Sequence, residues 1–153
     1  MSSNKKELAV AALRNGTVVD HIPSHALFRA VKILGIENMG TSVTIGNNLS
    51  SKRIGSKGII KVAEVEFAED VLNRIAIIAP SAMVNIIRDY EVAEKRCVTL
   101  PDTLVGIVKC GNPKCISNNE PMPTRFNVVD RDKVTLRCHY CNHSFDGTEA
   151  EII

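Results

Sequence analysis

The sequence predicts an α+β fold in two domains, the first over residues 1–100 and the second, all-β, over 101–153. Two observations predict it. Strand-like and helix-like segments alternate through the first hundred residues, and Pro101 then marks a linker. The last third gathers four cysteines as Cys110-x4-Cys115 and Cys138-x2-Cys141, with 22 residues between the pairs.

Taken in order, residues 1–16 are a start without clear pattern. After Gly16 comes the β-branched run Thr17-Val18-Val19-Asp20-His21-Ile22, a strand ended by Pro23. Ser24 stands where an N-cap belongs, and Leu27, Ala30, Val31 and Leu34 recur at helical spacing up to Gly35. Thr41 to Gly46 reads as a short strand, Asn47 to Gly58 as a polar loop, and Ile59 to Phe67 as a longer strand. Glu69 and Asp70 open a second helix, where acids suit the positive helix end. Its stripe is Leu72, Ile75, Ala76 and Ala79, and Pro80 stops it. Met83 to Val92 completes the set as one strand. The order β-α-β-β-α-β is that of a ferredoxin-like domain, with two helices on one face of an antiparallel sheet.

Beyond Pro101 no stretch reads as a helix. Phe126 and Val128 alternate with polar neighbours, as do Val134 and Leu136, and Asp130-Arg131-Asp132 between them signals a hairpin turn. Two close cysteine pairs on tight turns, joined by a hairpin-sized insert, are the spacing that wraps a tetrahedral Zn²⁺ in four thiolates. The second half is thus expected to be zinc-ribbon-like, with one structural Zn²⁺ on Cys110, Cys115, Cys138 and Cys141. A domain this small needs such a staple.

His139 and His143 are rival ligands, but four thiolates fill the tetrahedron, leaving both histidines outside it. Lys109, Lys114 and Arg137 flank ligands and offset their charge. A closed site has no position for water, so no metal catalysis is expected. Cys97 lies apart and reads as a small, partly buried thiol.

Composition narrows the function further. Net charge is +2 over 153 residues. Residues 1–100 carry 13 Lys and Arg against 10 Asp and Glu; residues 101–153 carry 6 against 7. A zinc half with a slight acidic excess and only Phe126, Tyr140 and Phe145 as aromatics argues against the alternative of a zinc-ribbon nucleic-acid-binding protein. No apolar run reaches membrane-spanning length, and no signal-peptide core opens the chain. Five cysteines without an export signal read as reduced thiols in the cytoplasm.

The first half holds no phosphate-loop motif, for Gly55-Ser56-Lys57-Gly58 lacks the spacing, and no nucleophile with a base. Its informative residues are polar ones inside apolar strands: Asp20, His21, Lys61, Asn85 and Tyr90, with Lys95 just after. Singly, alternation turns each toward solvent. Together, cations, amide and aromatic on adjacent strands suit a phosphorylated nucleoside.

The chain resembles the family of regulatory chains of aspartate carbamoyltransferase. The resemblance rests on Gly16-Thr17-Val18-Val19-Asp20-His21-Ile22-Pro23, Thr44-Ile45-Gly46, Ile59-Ile60-Lys61, Ala79-Pro80, Val84-Asn85, Tyr90-Glu91-Val92 and Leu100-Pro101. It continues with Cys110, Asn112-Pro113, Cys115-Ile116-Ser117 and Cys138-x2-Cys141. It implies a non-catalytic subunit of pyrimidine biosynthesis. Its first domain would bind nucleotide effectors, CTP and ATP with UTP as a further candidate. Its zinc domain would dock on the separate catalytic chain, and a second regulatory chain would complete a dimer. Carried over by position, the effector pocket comprises Val10, Leu13, Val18, Asp20, His21, Ile59, Lys61, Asn85, Ile87, Tyr90, Val92 and Lys95. Lys61 and Lys95 would meet the triphosphate; Val10, Leu13, Tyr90 and Val92 would line base and sugar.

Overall fold

A computed structural model describes residues 13–52 and 55–153. The chain divides into two compact units, Met1–Val98 and Thr99–Ile153.

In the first unit, strand β1 (Gly16–Pro23) leads through a 3-10 turn (Ser24–Ala26) into helix α1 (Leu27–Leu34). Strands β2 (Val43–Ser51) and β3 (Gly55–Ala63), helix α2 (Glu69–Ile78), and strands β4 (Met83–Arg88) and β5 (Glu91–Cys97) follow. The sheet order is β2-β3-β1-β4-β5, with every neighbouring pair antiparallel. This is the expected split-βαβ arrangement with a fifth strand added at one edge.

Alternation along the strands separates two faces. Thr17 and Val19 on β1 stand opposite Val62 and Ile60 on β3 and opposite Ile86 and Val84 on β4. All six are buried, as are Leu27, Ala30 and Leu34 on α1 and Leu72, Ile75 and Ala76 on α2. That apolar face carries the helices; the next residues along each strand point the other way.

Helix α1 stops where Gly35 takes φ 66° and returns its N–H to the carbonyls of Val31 and Lys32, both at 3.1 Å. Ser24 does not cap the helix. It opens the 3-10 turn, and its hydroxyl bonds that of Ser56 at 2.8 Å. Gly16 is required by its backbone: φ is 144°, and any Cβ there would run into the carbonyl oxygen of Val62.

Three first-unit expectations need correction. The polar segment Asn47 to Gly58 is no loop: β2 runs on to Ser51 and pairs with β3 down to Gly55. A bulge between Gly46 and Leu49, with Asn48 at φ 56°, lets the ladder resume after the register shift. Strand β3 ends at Ala63 rather than Phe67, because Glu64 turns to φ 61°. The expected strand Met83 to Val92 is a hairpin. Asp89 and Tyr90 both take positive φ, 52° and 66°, the backbone of a type I′ turn. Asn15 Oδ1 accepts from the N–H of Asp89 at 3.1 Å, and the Arg14 carbonyl from that of Tyr90 at 2.9 Å.

In the second unit, β6 (Thr103–Val105), β7 (Arg125–Asp130), β8 (Thr135–Cys138) and β9 (Ser144–Asp146) form an antiparallel sheet in sequence order. Its core is Leu104, Val108, Phe126, Val134 and Leu136, and the Phe145 ring meets Phe126 edge-on with centroids 6.3 Å apart. The hairpin between β7 and β8 lies where the Asp130-Arg131-Asp132 signal placed it, but Val134, expected in its second strand, sits in the turn at φ 53°. A one-turn helix, α3 (Ile116–Asn119), stands where no helix was expected. Four residues carry no readable period.

Candidate functional site

The metal site is built by two turns of different origin. Cys138 is the last residue of β8, paired with Phe126, and its turn closes when the Asn142 N–H reaches the Cys138 carbonyl at 3.0 Å. Asn142 takes φ 62° to allow this. Cys110 follows β6 in irregular backbone, and Cys115 occupies the N-cap of α3. The four sulfurs all lie within 4.8 Å of one another. Cys110 Sγ stands 3.7 Å from Cys141 Sγ, and Cys115 Sγ 3.7 Å from Cys138 Sγ.

Those distances decide what the cluster is. A disulfide needs sulfurs about 2.05 Å apart. A tetrahedron with Zn–S bonds of about 2.3 Å has edges of about 3.8 Å. The sulfurs therefore fit a Zn²⁺ held by Cys110, Cys115, Cys138 and Cys141, which supplies a structural cross-link.

Backbone N–H groups point at the sulfurs, that of Asn112 at Cys110, those of Tyr140 and Cys141 at Cys138, and that of His143 at Cys141. Burial still wins at the inner ligands, pushing the Cys110 thiol up to about 12 and raising that of Cys138. At Cys141 too burial is the largest single influence, and it acts upward. The N–H of His143, the side chains of Asn112 and His143 and the Cys110 thiol together outweigh it and bring Cys141 down to about 6.

His143 thus lies beside the sulfurs without joining them, its Nδ1 3.4 Å from Asn112 Nδ2 and its ring stacked on Phe145. His139 is exposed and meets only Tyr140 edge-on among the ring contacts described. Of the flanking cations, Lys109 lies 3.8 Å from Glu151. Cys97 is exposed on β5, not partly buried, with Sγ 3.4 Å from Met83 Sδ. The strand that lifts it out is the one missed in the sequence.

In the first unit, the register brings several of the carried-over residues together on the face away from the helices. Lys61 on β3 is opposite Val18 on β1, Val18 is opposite Asn85 on β4, and Asn85 is opposite Lys95 on β5. The four make one cross-strand row. Gly16, Ile87 and Val92 make the next row on one side; Asp20 opposite Met83 begins the next on the other. Ile59, two residues from Lys61, shares the face.

Tyr90 sits in the hairpin turn at the end of this face and is 67% exposed. Leu13 lies half-buried just before β1, and Val10 falls outside the described residues. His21 interrupts β1 with φ 58° at the register shift. Its carbonyl accepts from the Ser81 hydroxyl at 3.0 Å.

The face holds unspent polar capacity. Asn85 Oδ1 and His21 Nδ1 are buried without a hydrogen-bond partner among the described residues. His21 Nδ1 is 3.7 Å from Asp20 Oδ2, too far for a hydrogen bond. Asp20 is instead engaged by Lys57, whose Nζ lies 2.9 and 3.2 Å from its two carboxylate oxygens.

Lys57 is the residue that sequence reasoning missed. The one signal was the Gly55-Ser56-Lys57-Gly58 run, which pairing in β3 places beside Pro23. Among the aromatics of the zinc half Phe126 is fully buried, which removes it from any nucleic-acid surface. No helix among the described residues is long and apolar enough to cross a membrane.

Comparison with known proteins agrees with this architecture. Residues 8–99 match the allosteric domain, and residues 102–151 the metal-binding domain, of the aspartate carbamoyltransferase regulatory chain. The chain is 59% identical over 153 residues to the regulatory chain of Bacteroides fragilis, covering 100% of both. It is 57% identical over 145 residues to that of Parabacteroides distasonis, covering 95% of this chain and 94% of the relative. The archaeal regulatory chain of Thermococcus gammatolerans is 44% identical over 144 residues, covering 94% and 95%. With two domain matches spanning nearly its whole length and a four-thiolate site in the second, the chain belongs to the aspartate carbamoyltransferase regulatory chain family, the non-catalytic subunits that modulate the catalytic chains.

Proposed function

We propose that residues 1–100 bind a nucleoside triphosphate, CTP or ATP with UTP as a further ligand, on the sheet face opposite the helices. The observation that carries this is the row Lys61, Val18, Asn85, Lys95. Its two lysines stand three strand spacings apart, about 14 Å between backbones. Side chains leaning inward from both ends meet a chain of phosphates between them, each ammonium making charge-assisted bonds to phosphate oxygens. The buried Asn85 carboxamide oxygen between them awaits a donor, which a ribose hydroxyl or an amino group on the base supplies. Leu13, Val92 and Tyr90 offer apolar surface at the turn end for the base, the role that the family resemblance also gives to Val10. Lys57 holds Asp20 and thereby keeps an uncompensated carboxylate off the face.

Residues 101–153 act as the docking block for the catalytic chain. Zinc makes a small domain rigid enough to carry a quaternary change, and the first domain joins a second regulatory chain. A nucleotide that prefers one quaternary state shifts the assembly toward it, by no more than its differential affinity. Reduced thiolates support a cytoplasmic setting for this work.

Calorimetry of the wild-type chain with CTP and with ATP tests the site. Saturable binding, with ATP displacing CTP, is expected; heats no larger than dilution overturn it.

A further inference from the structure

The two cysteine turns are not held in the same way. Cys138 is fixed by the sheet, through its pairing with Phe126 and its N–H to the His143 carbonyl at 2.9 Å. Cys110-x4-Cys115 is longer and lies off the strands. Gly111, Pro113 and Lys114 within it are exposed, and Pro113 has no N–H to give. One backbone bond closes it, from the Cys115 N–H to the Asn112 carbonyl at 3.0 Å.

Two consecutive side chains supply what the ladder does not. Asn118 Nδ2 donates to the Cys110 carbonyl at 2.9 Å and to the Asn112 carbonyl at 2.7 Å. Asn119 Nδ2 donates to the Pro113 carbonyl at 3.1 Å and to the Cys115 carbonyl at 2.8 Å. Four carbonyls of a six-residue turn are thus gripped by two carboxamides. An amide nitrogen has two hydrogens, so each donor is fully used. Immediately before them, the Ser117 hydroxyl lies 3.1 Å from Cys115 Sγ. Helix α3 is one turn long and has no core-facing stripe; its three polar residues all turn back on the cysteine loop.

We propose that Asn118 and Asn119 are positioning residues of the metal centre, setting the separation of the Cys110 and Cys115 sulfurs by clamping the carbonyls between them. The inference rests on the four-thiolate zinc site. Neither residue touches the metal. Each acts on ligand geometry, as partners behind metal ligands do when their loss costs about 10- to 100-fold in affinity. Aspartate is the informative replacement: it matches the shape of asparagine, cannot donate, and sets a carboxylate against carbonyl oxygens.

The test uses the full chain. Zinc release is followed with excess chromogenic chelator, and cobalt-substituted protein at saturating metal is followed by its thiolate-to-metal and ligand-field absorption. Asn118→Asp and Asn119→Asp are expected to release zinc about 10- to 100-fold faster and to shift the cobalt bands. Wild-type release rates with unchanged bands overturn the proposal. Should the aspartate variants fail to fold, Asn118→Ala, neutral and smaller, is read by the same two criteria. Wild-type protein purified without one zinc per chain would instead defeat the zinc assignment itself.

Discussion

Asn85 faces Lys95 directly across the β4–β5 pair, while its other flank faces Val18 across β1–β4. The amide and the ammonium therefore belong to one surface, although ten residues and a reversal of chain direction separate them in sequence. If that surface takes a triphosphate, Lys95→Ala removes a charge-assisted bond worth about 1.5–3 kcal/mol. Affinity for both CTP and ATP is expected to fall roughly 10- to 100-fold at fixed ionic strength. Zinc content is expected to stay the same. Calorimetry giving wild-type affinity would remove Lys95 from the site.

Cys138→Ser leaves three thiolates around a position that needs four. Metal binding contributes on the order of 10 kcal/mol to folding in small zinc domains. The variant is expected to lose zinc, to unfold residues 101–153, and to stop co-eluting with the catalytic chain on gel filtration. A strong chelator should do the same to the wild type. Co-elution unaltered by either treatment contradicts the docking role given to this half.

Metal loading should depend on pH with a definite sign. Metal-free Cys110, its thiol pushed up to about 12, and Cys138, raised likewise, are protonated at neutral pH and must lose their protons to bind zinc. Cys141, brought down to about 6, is already a thiolate. Between pH 6.5 and 8 zinc affinity should therefore rise with pH, by about one order of magnitude per unit for each proton released, and Cys110 and Cys138 alone contribute two of them. The metal-free fold follows a different rule. The lowered Cys141 stabilises it above the unfolded value near 9, a contribution lost as pH falls through about 6. The raised Cys110 stabilises it below that value, and this is lost as pH climbs toward about 12. Competition with a chelator of known proton affinity across this range measures the first effect, and a flat profile contradicts it.

Much of this was legible in the chain, for reasons that differ by region. The helices declared themselves because Leu27, Ala30 and Leu34, or Leu72, Ile75 and Ala76, repeat at a period set by burial on one side. The zinc ligands declared themselves because thiolate spacing is dictated by the ion. The β4–β5 hairpin did not. Its turn is Asp89-Tyr90, and Tyr in a left-handed conformation gives none of the glycine signal that such turns usually show. β5 is Glu91 to Cys97, almost wholly exposed, so no apolar alternation marks it. The hairpin of β2 and β3 was hidden likewise, because Asn47 to Gly58 is rich in polar residues and glycine and keeps the composition of a loop. At the effector face the cost was specific: Lys95 was read as trailing a strand when it sits in one, and Lys57 was left out.

Gly58→Ala probes a close approach. A Cβ at this position would lie 2.7 Å from Leu27 Cδ1 and 3.2 Å from its Cβ, and Leu27 is wholly buried at the start of α1. The expected cost is about 1–3 kcal/mol of first-unit stability, read as a lowered urea midpoint. Gly40→Ala, with nothing within 4 Å and no unusual φ, should stay within about 0.5 kcal/mol of wild type. Equal midpoints for the two variants would mean that Leu27 can yield.

Strand β1 lies at the middle of its sheet, yet its partners are β3 and β4, residues 55–63 and 83–88. A ribosome making this protein releases the central strand first and must translate past residue 88 before both its neighbours exist. The zinc half is ordered the opposite way, each strand beside the one just made, so its pairings can form in the order of synthesis. Nascent chains should therefore complete the earlier-made half slowly, while the later-made half closes in order once Cys141 and the strand after it have emerged and an ion is at hand.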